Sequence, residues 1–399
     1  MGNPVVVFSA VWGSVLLLYC LGATSNLVPI NIVGLSLVVL NMLSMALFYL
    51  LMVAGRRVPL IDKTQIMEYR RAAKVYAKVL FVLWFGGTCM EVYVQRGFPL
   101  YWNWVGDGRL YTDFGIPSFH GIMNAMYLQL VTALAYLYFV KPRRIIILLL
   151  FLLACWPVLM LGRGILLSVI VQITAVFFLM RRLNIKVTLI LISSALVAVF
   201  LFGYVGDLRQ VVNPFGYLVE PAYVDFFSSM PSGFLWFYVY MTSGMSNLFF
   251  NIETLQPAYS VGYSLYNMLP SALKLWLGFD QRNDLFVFVD NNLNAATFYS
   301  GYISDFGPVG AFLLAAFVQF CCCLAYRVAR NGRPWGILAY AVAFQILIFS
   351  IFYDMFFLLP VLFQFAMAIL FFSFYQFTRR SKVRVDLPLA EPSSDPRIQ

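Results

Sequence analysis

The chain has 399 residues, of which 62% are hydrophobic and only 11% are charged, and its formal net charge is +10. Soluble domains average about 45–50% apolar and about 25% charged residues. A water-soluble fold is excluded, because it could not remove this much apolar surface from water, and lipid must be the solvent for much of the chain.

Ten apolar runs follow one another, each close to the roughly 20 residues that a helix needs to cross a bilayer. Helices are expected because each one satisfies its own backbone hydrogen bonds within lipid. The predicted fold is an all-α, polytopic transmembrane helical bundle of about 10–12 spans. We expect one transmembrane domain over residues 1–377 and a disordered cytoplasmic tail over 378–399. The ten predicted spans cover residues 5–23, 29–54, 75–94, 117–140, 145–161, 165–180, 187–205, 303–325, 335–352 and 355–377.

Lysine and arginine are distributed unevenly between the predicted connections. Twenty of the 27 basic residues fall into five clusters, and alternation of the ten spans puts all five on one side. The positive-inside rule makes that side, and both termini, cytoplasmic. Topology and attraction to anionic membrane lipid therefore explain the net charge without a nucleic-acid partner. The clusters run from Arg56 to Lys78, Lys141 to Arg144, Arg181 to Lys186, Arg327 to Arg333 and Arg379 to Arg384.

Two large segments lie on the opposite side, which is net acidic. Residues 95–116 combine aromatic side chains with turn residues around Gly106, and we favour an interfacial aromatic belt over a sugar-stacking surface there. Residues 206–302 form the second segment, and loops this long are usually functional or structured. Its apolar stretch 232–250 is either a re-entrant or interfacial helix or one of a pair of extra spans, because a single span would put later basic clusters on the wrong side.

Three arginines on this far side are candidates for binding an anion. Arg163 lies in a tight turn between two glycines, where we favour a partly buried cation facing a cavity over a side chain that snorkels to the interface. Arg209 follows the seventh span, and Arg282 lies between carboxylates, where a salt bridge is the simpler explanation. A guanidinium suits a diphosphate because its planar fork gives two parallel charge-assisted hydrogen bonds.

His120 is the only histidine and lies at the far-side end of the fourth span. Its unperturbed pKa of about 6.5 fits a proton acceptor near neutral pH, and a hydrogen bond to backbone at a helix start is an equally good explanation. Glu91, Asp305 and Asp354 also lie at far-side ends of spans, and a structural role is the default for each. All six cysteines fall inside predicted spans without metal-ligand spacing, so we expect neither a disulfide framework nor a metal site.

The segment 294–310 contains Asn294, Thr297, Tyr299 and Tyr302, and then the run Asp305-Phe306-Gly307-Pro308-Val309-Gly310 before a predicted span. It resembles a pattern found in Wzy-type oligosaccharide repeat-unit polymerases. The turn Gly162-Arg163-Gly164 resembles the Gly-Arg turn of that family, Arg209 its second arginine, and residues 263–271 a loop segment that ends in Leu-Pro. The motifs follow the family's order over residues 162–310.

The resemblance implies a metal-independent glycosyltransferase without a cofactor, in the inner membrane of a bacterium, with residues 206–302 as a large periplasmic loop. It would join undecaprenyl-diphosphate-linked repeat units into a surface polysaccharide such as O-antigen, alongside a chain-length-determining membrane protein. On this hypothesis Arg163, Arg209 and Arg282 bind the diphosphate, and His120 or Asp305 takes the proton of the acceptor hydroxyl. Trp236, Tyr299 and Tyr302 would contact glycan or lipid.

Three other functions remain open. An O-antigen ligase would share the topology and the leaving group. A lipid-linked oligosaccharide flippase would be expected to have repeated halves and polar residues near the bilayer midplane, whereas here the far-side charges crowd at one face. A membrane scaffold without chemistry would tolerate simultaneous substitution of Arg163, Arg209 and His120.

Overall fold

The computed structural model describes residues 2–55, 63–181, 184–210, 215–278, 285–290 and 293–385. Within these residues the regular structure is helical, and there is no β-strand. The α-helices of the described residues are α1 (Pro4–Cys20), α2 (Ile32–Met52), α3 (Lys63–Val94), α4 (Pro99–Val105), α5 (Phe119–Val140), α6 (Arg144–Leu159), α7 (Arg163–Met180), α8 (Ile185–Gln210), α9 (Val224–Ser228), α10 (Gly233–Thr254), α11 (Gly262–Leu265), α12 (Ser271–Leu277), α13 (Ser300–Arg330), α14 (Pro334–Phe349) and α15 (Leu359–Val385).

Six helical segments of the described chain are long and apolar enough to cross a membrane, and four further apolar helices are shorter. Together they overlap the ten predicted spans one for one, which confirms the helical membrane class; the number that cross the bilayer remains a prediction. The six are Ile32–Met52, Thr64–Val105, Phe119–Val140, Arg163–Met180, Ser300–Arg330 and Leu359–Gln376, and the four are Pro4–Cys20, Arg144–Leu159, Ile185–Val197 and Pro334–Phe349.

Asparagine caps fix the starts of the first two helices. The side-chain oxygen of Asn3 accepts a 2.9 Å hydrogen bond from the backbone N–H of Val5, and Asn31 caps α2 in the same way. Such caps satisfy N–H groups that have no partner inside the helix. The residues at which α1 and α2 begin are therefore determined by the local sequence.

The basic connections meet at one end of the bundle, which we call the basic end. The Arg330 guanidinium donates to the Val53 carbonyl at 3.0 Å, which ties the end of α13 to the end of α2. The Tyr340 hydroxyl donates to the Gly2 carbonyl at 2.6 Å, which ties α14 to the start of the chain. These contacts bring the ends of α2 and α13 and the start of the chain to one end of the bundle, whereas the alternation of all ten spans remains a prediction.

The opposite end, which we call the loop end, is formed by residues 21–31, 95–118, 215–278, 285–290, 293–299 and 350–358. Its segments are joined by two isolated backbone bridges, Thr24 with Val219 and Thr297 with Tyr353. The predicted far-side segments therefore share one end of the molecule, whereas its placement in the periplasm remains a prediction.

Helices α5 and α14 form the centre of the bundle. In α14, 14 of 16 residues are buried, and in α5 13 of 22 are buried. Outer helices instead expose rows of large aliphatic side chains, such as Leu43, Leu47 and Leu50 on α2 and Ile147, Leu148 and Phe151 on α6. An apolar face of this kind on a span-length helix fits contact with lipid.

Helix α10 contains the predicted stretch 232–250 and lies across the loop end. Its first residue, Gly233, contacts Gly203 near the end of α8, and Phe249 near its own end lies against Gly34 at the start of α2. Between these points the backbone N–H of Ala23 donates to the Tyr238 hydroxyl at 2.9 Å. The described residues between 255 and 299 contain no second long helix. The contacts therefore favour a helix across the bundle over a pair of extra spans.

Helix α15 extends past the predicted end of the last span, to Val385. Residues 378–385 of the predicted tail are thus helical, and residues 386–399 lie outside the described part of the chain.

Candidate functional site

His120 is paired with a buried carboxylate at the loop end. His120 is the second residue of α5, and its Nδ1 lies 3.1 Å from Oε2 of Glu91 in the last turn of α3. The other carboxylate oxygen accepts from the backbone N–H of Ile116 at 3.1 Å. The Glu91 side chain is 0% exposed and that of His120 is 24% exposed. If Nδ1 carries the hydrogen, Nε2 is the nitrogen that can accept a proton from a bound molecule, and Glu91 stabilises the imidazolium that results.

The backbone beside His120 leaves no room for a larger residue. Gly115 has φ +107°, and a Cβ there would come within 2.5 Å of the His120 ring. The ring of Phe114 meets the imidazole edge-on, with centroids 5.3 Å apart. The segment before α5 therefore fixes the plane of the imidazole as well as its partner.

Arg109 holds the 95–116 segment in place. Its guanidinium pairs with both Asp107 oxygens at 2.8 and 2.7 Å, donates to the Gln95 carbonyl at 2.9 Å and lies 3.8 Å from the centroid of the Trp102 ring. The Gln95 amide in turn donates to the Gly115 carbonyl at 3.2 Å. Arg109 thus belongs to a hydrogen-bond network that reaches Gly115, and the backbone of Gly115 lies beside the His120 ring.

Arg163 begins α7 at the same end of the bundle. Met160, three residues earlier, is buried in one cluster with Trp102 and Phe114, so the Arg163 turn borders the segment that packs on His120. Arg163 itself is exposed, which corrects the expectation of a partly buried cation. Arg163 is the first residue of α7, and a helix start favours a bound anion.

The side chains of the other two predicted diphosphate ligands, Arg209 and Arg282, lie outside the described part of the chain. Arg209 lies in the last turn of α8, and its side chain is outside what the structure describes. Its neighbour Asp207 accepts from the Trp236 indole N–H at 2.9 Å and from the Ser232 hydroxyl. Arg282 lies outside the described residues.

The three predicted glycan-contacting rings are all buried in the protein. Trp236 is 4% exposed, and Tyr299 and Tyr302 are both 0% exposed. A sugar-stacking surface needs one open ring face, so this burial does not favour the predicted glycan or lipid contact, which stays a prediction. Trp236 instead stacks on Tyr240, and Tyr299 packs against Trp12, with ring centroids 5.9 and 5.5 Å apart.

The Asp305 carboxylate holds a neighbouring loop segment in place through hydrogen bonds. It is fully buried and accepts from the Ser260 hydroxyl at 2.8 Å and from the backbone N–H groups of Tyr263 and Ser264 at 3.1 and 2.7 Å. It thereby joins the two loop segments that resemble the polymerase motifs. With three donors and no open side, this carboxylate is poorly placed to receive a substrate proton, and its predicted role as a base stays a prediction that the geometry does not favour.

Asp354 is the better placed carboxylate. It is half-buried in the connection between α14 and α15, and its Oδ1 accepts from the Phe356 N–H at 2.9 Å. Burial raises its pKa from 3.8 to about 7, against the lowering effect of the Phe356 and Phe357 N–H groups and the Tyr302 hydroxyl. A carboxyl that titrates near neutral pH suits general acid–base chemistry. Sequence alone assigned it a structural default, because nothing in the sequence shows that the fold buries it.

The Asp354 connection is built into the motif segment and borders His120. Backbone N–H groups of residues 296 and 298 donate to the carbonyls of Phe352 and Ser350 at 2.9 and 2.8 Å. Gly121, next to His120, lies against Pro360 at the start of α15, where a Cβ on the glycine would be 3.2 Å from the ring. His120, Asp354 and the Arg163 turn thus lie at or before the starts of α5, α15 and α7, at one end of the bundle.

A cluster of buried amides lies beneath this site. Gln172 on α7 donates to the side-chain oxygens of Gln364 and Gln345 at 2.8 and 2.5 Å, and it accepts from the Thr132 hydroxyl at 2.6 Å. Gln345 also donates to Ser168 at 3.0 Å. The four helices α5, α7, α14 and α15 are therefore joined by polar groups inside the apolar bundle. Sequence reasoning missed the cluster, although glutamine inside an apolar span was an available signal.

Among the described residues, no group of three histidine, cysteine or acidic side chains is close enough together to hold a metal ion. No family model, curated protein or solved structure matches the chain.

Proposed function

We propose that the chain is a polymerase of lipid-diphosphate-linked oligosaccharide repeat units, working at the loop end on the periplasmic side of a bacterial inner membrane. The observation that supports the proposal is that the His120–Glu91 pair, Asp354 and the Arg163 turn lie at the same end of the bundle, at or before the starts of α5, α15 and α7. These groups offer proton acceptors and a cation at one end of the bundle. Glycosyl transfer from a lipid diphosphate needs both.

In this reaction a hydroxyl oxygen of the acceptor sugar forms a bond to the anomeric carbon of the donor, and the bond from that carbon to the diphosphate oxygen breaks. The electron pair leaves on the lipid diphosphate, and the hydroxyl proton goes to the base. His120 is that base in our proposal, held by Glu91, with Asp354 as the second titrating group. Arg163 and the start of α7 bind the departing diphosphate, with Arg209 as a further ligand. Asp305 acts as a positioning residue for the motif loops.

Arg163→Ala tests this proposal in cells that lack the native gene, with the variant at matched membrane level. We expect single repeat units on the acceptor lipid in place of long chains, seen as the loss of the electrophoretic ladder. Arg96→Ala is the matched control, because Arg96 is also an exposed arginine of the loop end. Normal chain lengths with Arg163→Ala would remove Arg163 from the scheme, and a complete absence of glycan on the acceptor lipid would indicate a ligase instead.

One observation favours a second candidate, a lipid-linked oligosaccharide flippase. The buried cluster around Gln172 joins four helices in the interior of the bundle, and transporters place polar groups at this depth. A flippase variant such as Gln172→Leu would trap repeat units on the cytoplasmic leaflet, where externally added glycan-modifying enzymes cannot reach them. If the chain is a polymerase, a loss-of-function variant such as Arg163→Ala should instead leave single repeat units where these enzymes can reach them.

A further inference from the structure

A cavity of about 480 Å³ opens at the basic end, far from the candidate active site. It is enclosed by the starts of α3 and α14, by the ends of α5, α7 and α13, and by the residues that precede α1. The candidate function gives no role to a cavity at this end. The candidate active site at the loop end therefore does not account for the residues that line this cavity.

The lining combines one cation, three phenols and an apolar wall. Arg330 lies at the end of α13 and uses Nη1 to hold the Val53 carbonyl at 3.0 Å, which leaves further N–H groups of its guanidinium for another acceptor. Tyr69, Tyr136 and Tyr326 come from three different helices. The apolar wall consists of Ile66, Val140, Phe178, Leu179, Met180 and Ile337.

Positive charge is concentrated beside the cavity. The ammonium group of Lys74 on α3 is repelled by the positive charges of Arg70 and Lys78 on its own helix. It is also repelled by Lys141 and Arg143 on the turn between α5 and α6. Tyr69 and Val140 of the lining are the chain neighbours of Arg70 and Lys141. Glu68, the acidic residue of this part of α3, accepts from the Tyr375 hydroxyl at 3.2 Å. Cations gathered in this way repel one another unless they share an anion, and clusters of this kind at a membrane face attract anionic lipid.

We propose that the cavity binds an anionic phospholipid. The phosphate accepts hydrogen bonds from Arg330 and from the tyrosine hydroxyls, while an acyl chain follows the apolar wall. Free phosphate would use the same donors but not the wall, which is why we commit to the lipid. The surrounding lysines and arginines raise the local concentration of anionic headgroups by electrostatic attraction. They do not bind one particular headgroup.

The test is native mass spectrometry of the full-length protein in detergent, with added phosphatidylglycerol or phosphatidylethanolamine of identical acyl chains. We expect phosphatidylglycerol to be retained preferentially by the native chain. Arg330→Gln should reduce that retention by roughly tenfold, because a hydrogen bond to a charged group is lost. Arg327→Gln is the matched control: it removes the same charge from the same helix, lies one turn away and does not line the cavity. Its lipid retention should be unchanged.

Arg330 also braces α2, so Tyr326→Phe provides a second variant that removes only a hydroxyl. It should reduce phosphatidylglycerol retention by about threefold and leave the melting temperature unchanged. Equal retention of the two lipids by the native chain, or equal loss from Arg330→Gln and Arg327→Gln, would overturn the proposal. Displacement of the lipid by millimolar inorganic phosphate would identify a free-anion site instead and would also overturn it. None of these outcomes depends on glycan polymerisation.

Discussion

The two ends of the bundle hold their charges in different ways. At the loop end, carboxylates are fixed by specific partners: Glu91 by His120 and Ile116, and Asp305 by three donors. Two pairs of oppositely charged or chargeable side chains, Arg109 with Asp107 and His120 with Glu91, lie there. At the basic end, Lys74 lies among four other cations.

This difference matters because fixed and diffuse charges do different work. A charge held by hydrogen bonds on a helix start keeps its orientation, and oriented groups are what proton transfer and leaving-group stabilisation require. A diffuse group of cations sets the orientation of the chain in the membrane and attracts anionic lipid. We therefore expect substitutions at the loop end to act through geometry and those at the basic end to act through charge number.

His120→Ala should produce the largest effect and tests whether the fixed charges perform chemistry. Removal of a general base typically costs on the order of 100-fold or more in rate, so glycan chains should shorten to single units. The measurement is the glycan length distribution at matched expression, with Asn124→Ala on the next turn of α5 as the control. Glu91→Gln should give a smaller loss than His120→Ala, because the base remains and only its orientation is weakened. If Glu91→Gln shortens the chains and His120→Ala does not, the histidine is not the base.

Asp305→Asn should produce the largest loss of stability. An amide of the same size presents an NH₂ group to donors that the carboxylate now satisfies, and a spoiled buried network of this kind costs about 2–4 kcal/mol. Thermal unfolding in detergent measures the loss, and amide hydrogen exchange of residues 260–264 should rise selectively. Asp225→Asn, at an exposed acid of the same end, should leave both unchanged. A stable variant that has lost only polymerisation would restore Asp305 as a candidate base.

Sequence alone predicts the helices and their two ends well, because both follow from local signals. An apolar run of span length marks a helix wherever it packs, and the arginine and lysine clusters mark the end to which each connection belongs. The direction of α10 does not follow from the local sequence. Residues 232–250 are apolar enough for a re-entrant helix, an interfacial helix or one of a pair of extra spans. Contacts with α8 and α2, which are far away in the chain, favour a helix across the loop end.

The candidate site was only partly predictable, because burial is a tertiary property. Tyr299 and Tyr302 have the chemistry of sugar-contacting rings, and only the fold shows that both are enclosed. Asp354 resembles any loop carboxylate until the connection before α15 buries it and raises its pKa. The partners of Gln172 lie on three other helices, so no local spacing links them. His120 and Arg163 were found because a lone histidine and a charge in a tight membrane turn are locally unusual.

The raised pKa of Asp354 predicts how stability should depend on pH. Because the folded-state pKa of about 7 exceeds the ordinary value of 3.8, the folded protein binds this proton more tightly than the unfolded chain does. The stabilisation is therefore greatest at low pH and is lost as the pH rises from about 4 through about 7. Asp354→Asn mimics the protonated acid and should unfold at a higher temperature than the native chain above neutral pH, with the difference vanishing in acid. Melting curves between about pH 5 and about pH 8 measure this, and parallel curves for the two proteins would mean that Asp354 titrates normally.

Gly115→Ala should have the smallest effect and tests how tightly the loop end holds its histidine. Any residue other than glycine at φ +107° is strained, and the added Cβ would also meet the His120 ring at 2.5 Å. Gly108→Ala is the matched control, because Gly108 also has a positive φ, of 81°, but nothing lies within 4 Å of its would-be Cβ. Both variants pay for backbone strain of about 1 kcal/mol, and only Gly115→Ala adds the overlap, for a total of about 2–3 kcal/mol. The difference between their melting temperatures isolates the overlap with the imidazole. Because that overlap pushes His120 away from Glu91, Gly115→Ala should also shorten glycan chains while Gly108→Ala leaves them long. If the two variants behave alike, the imidazole can move aside freely, and His120 is not held as firmly as the proposed chemistry requires.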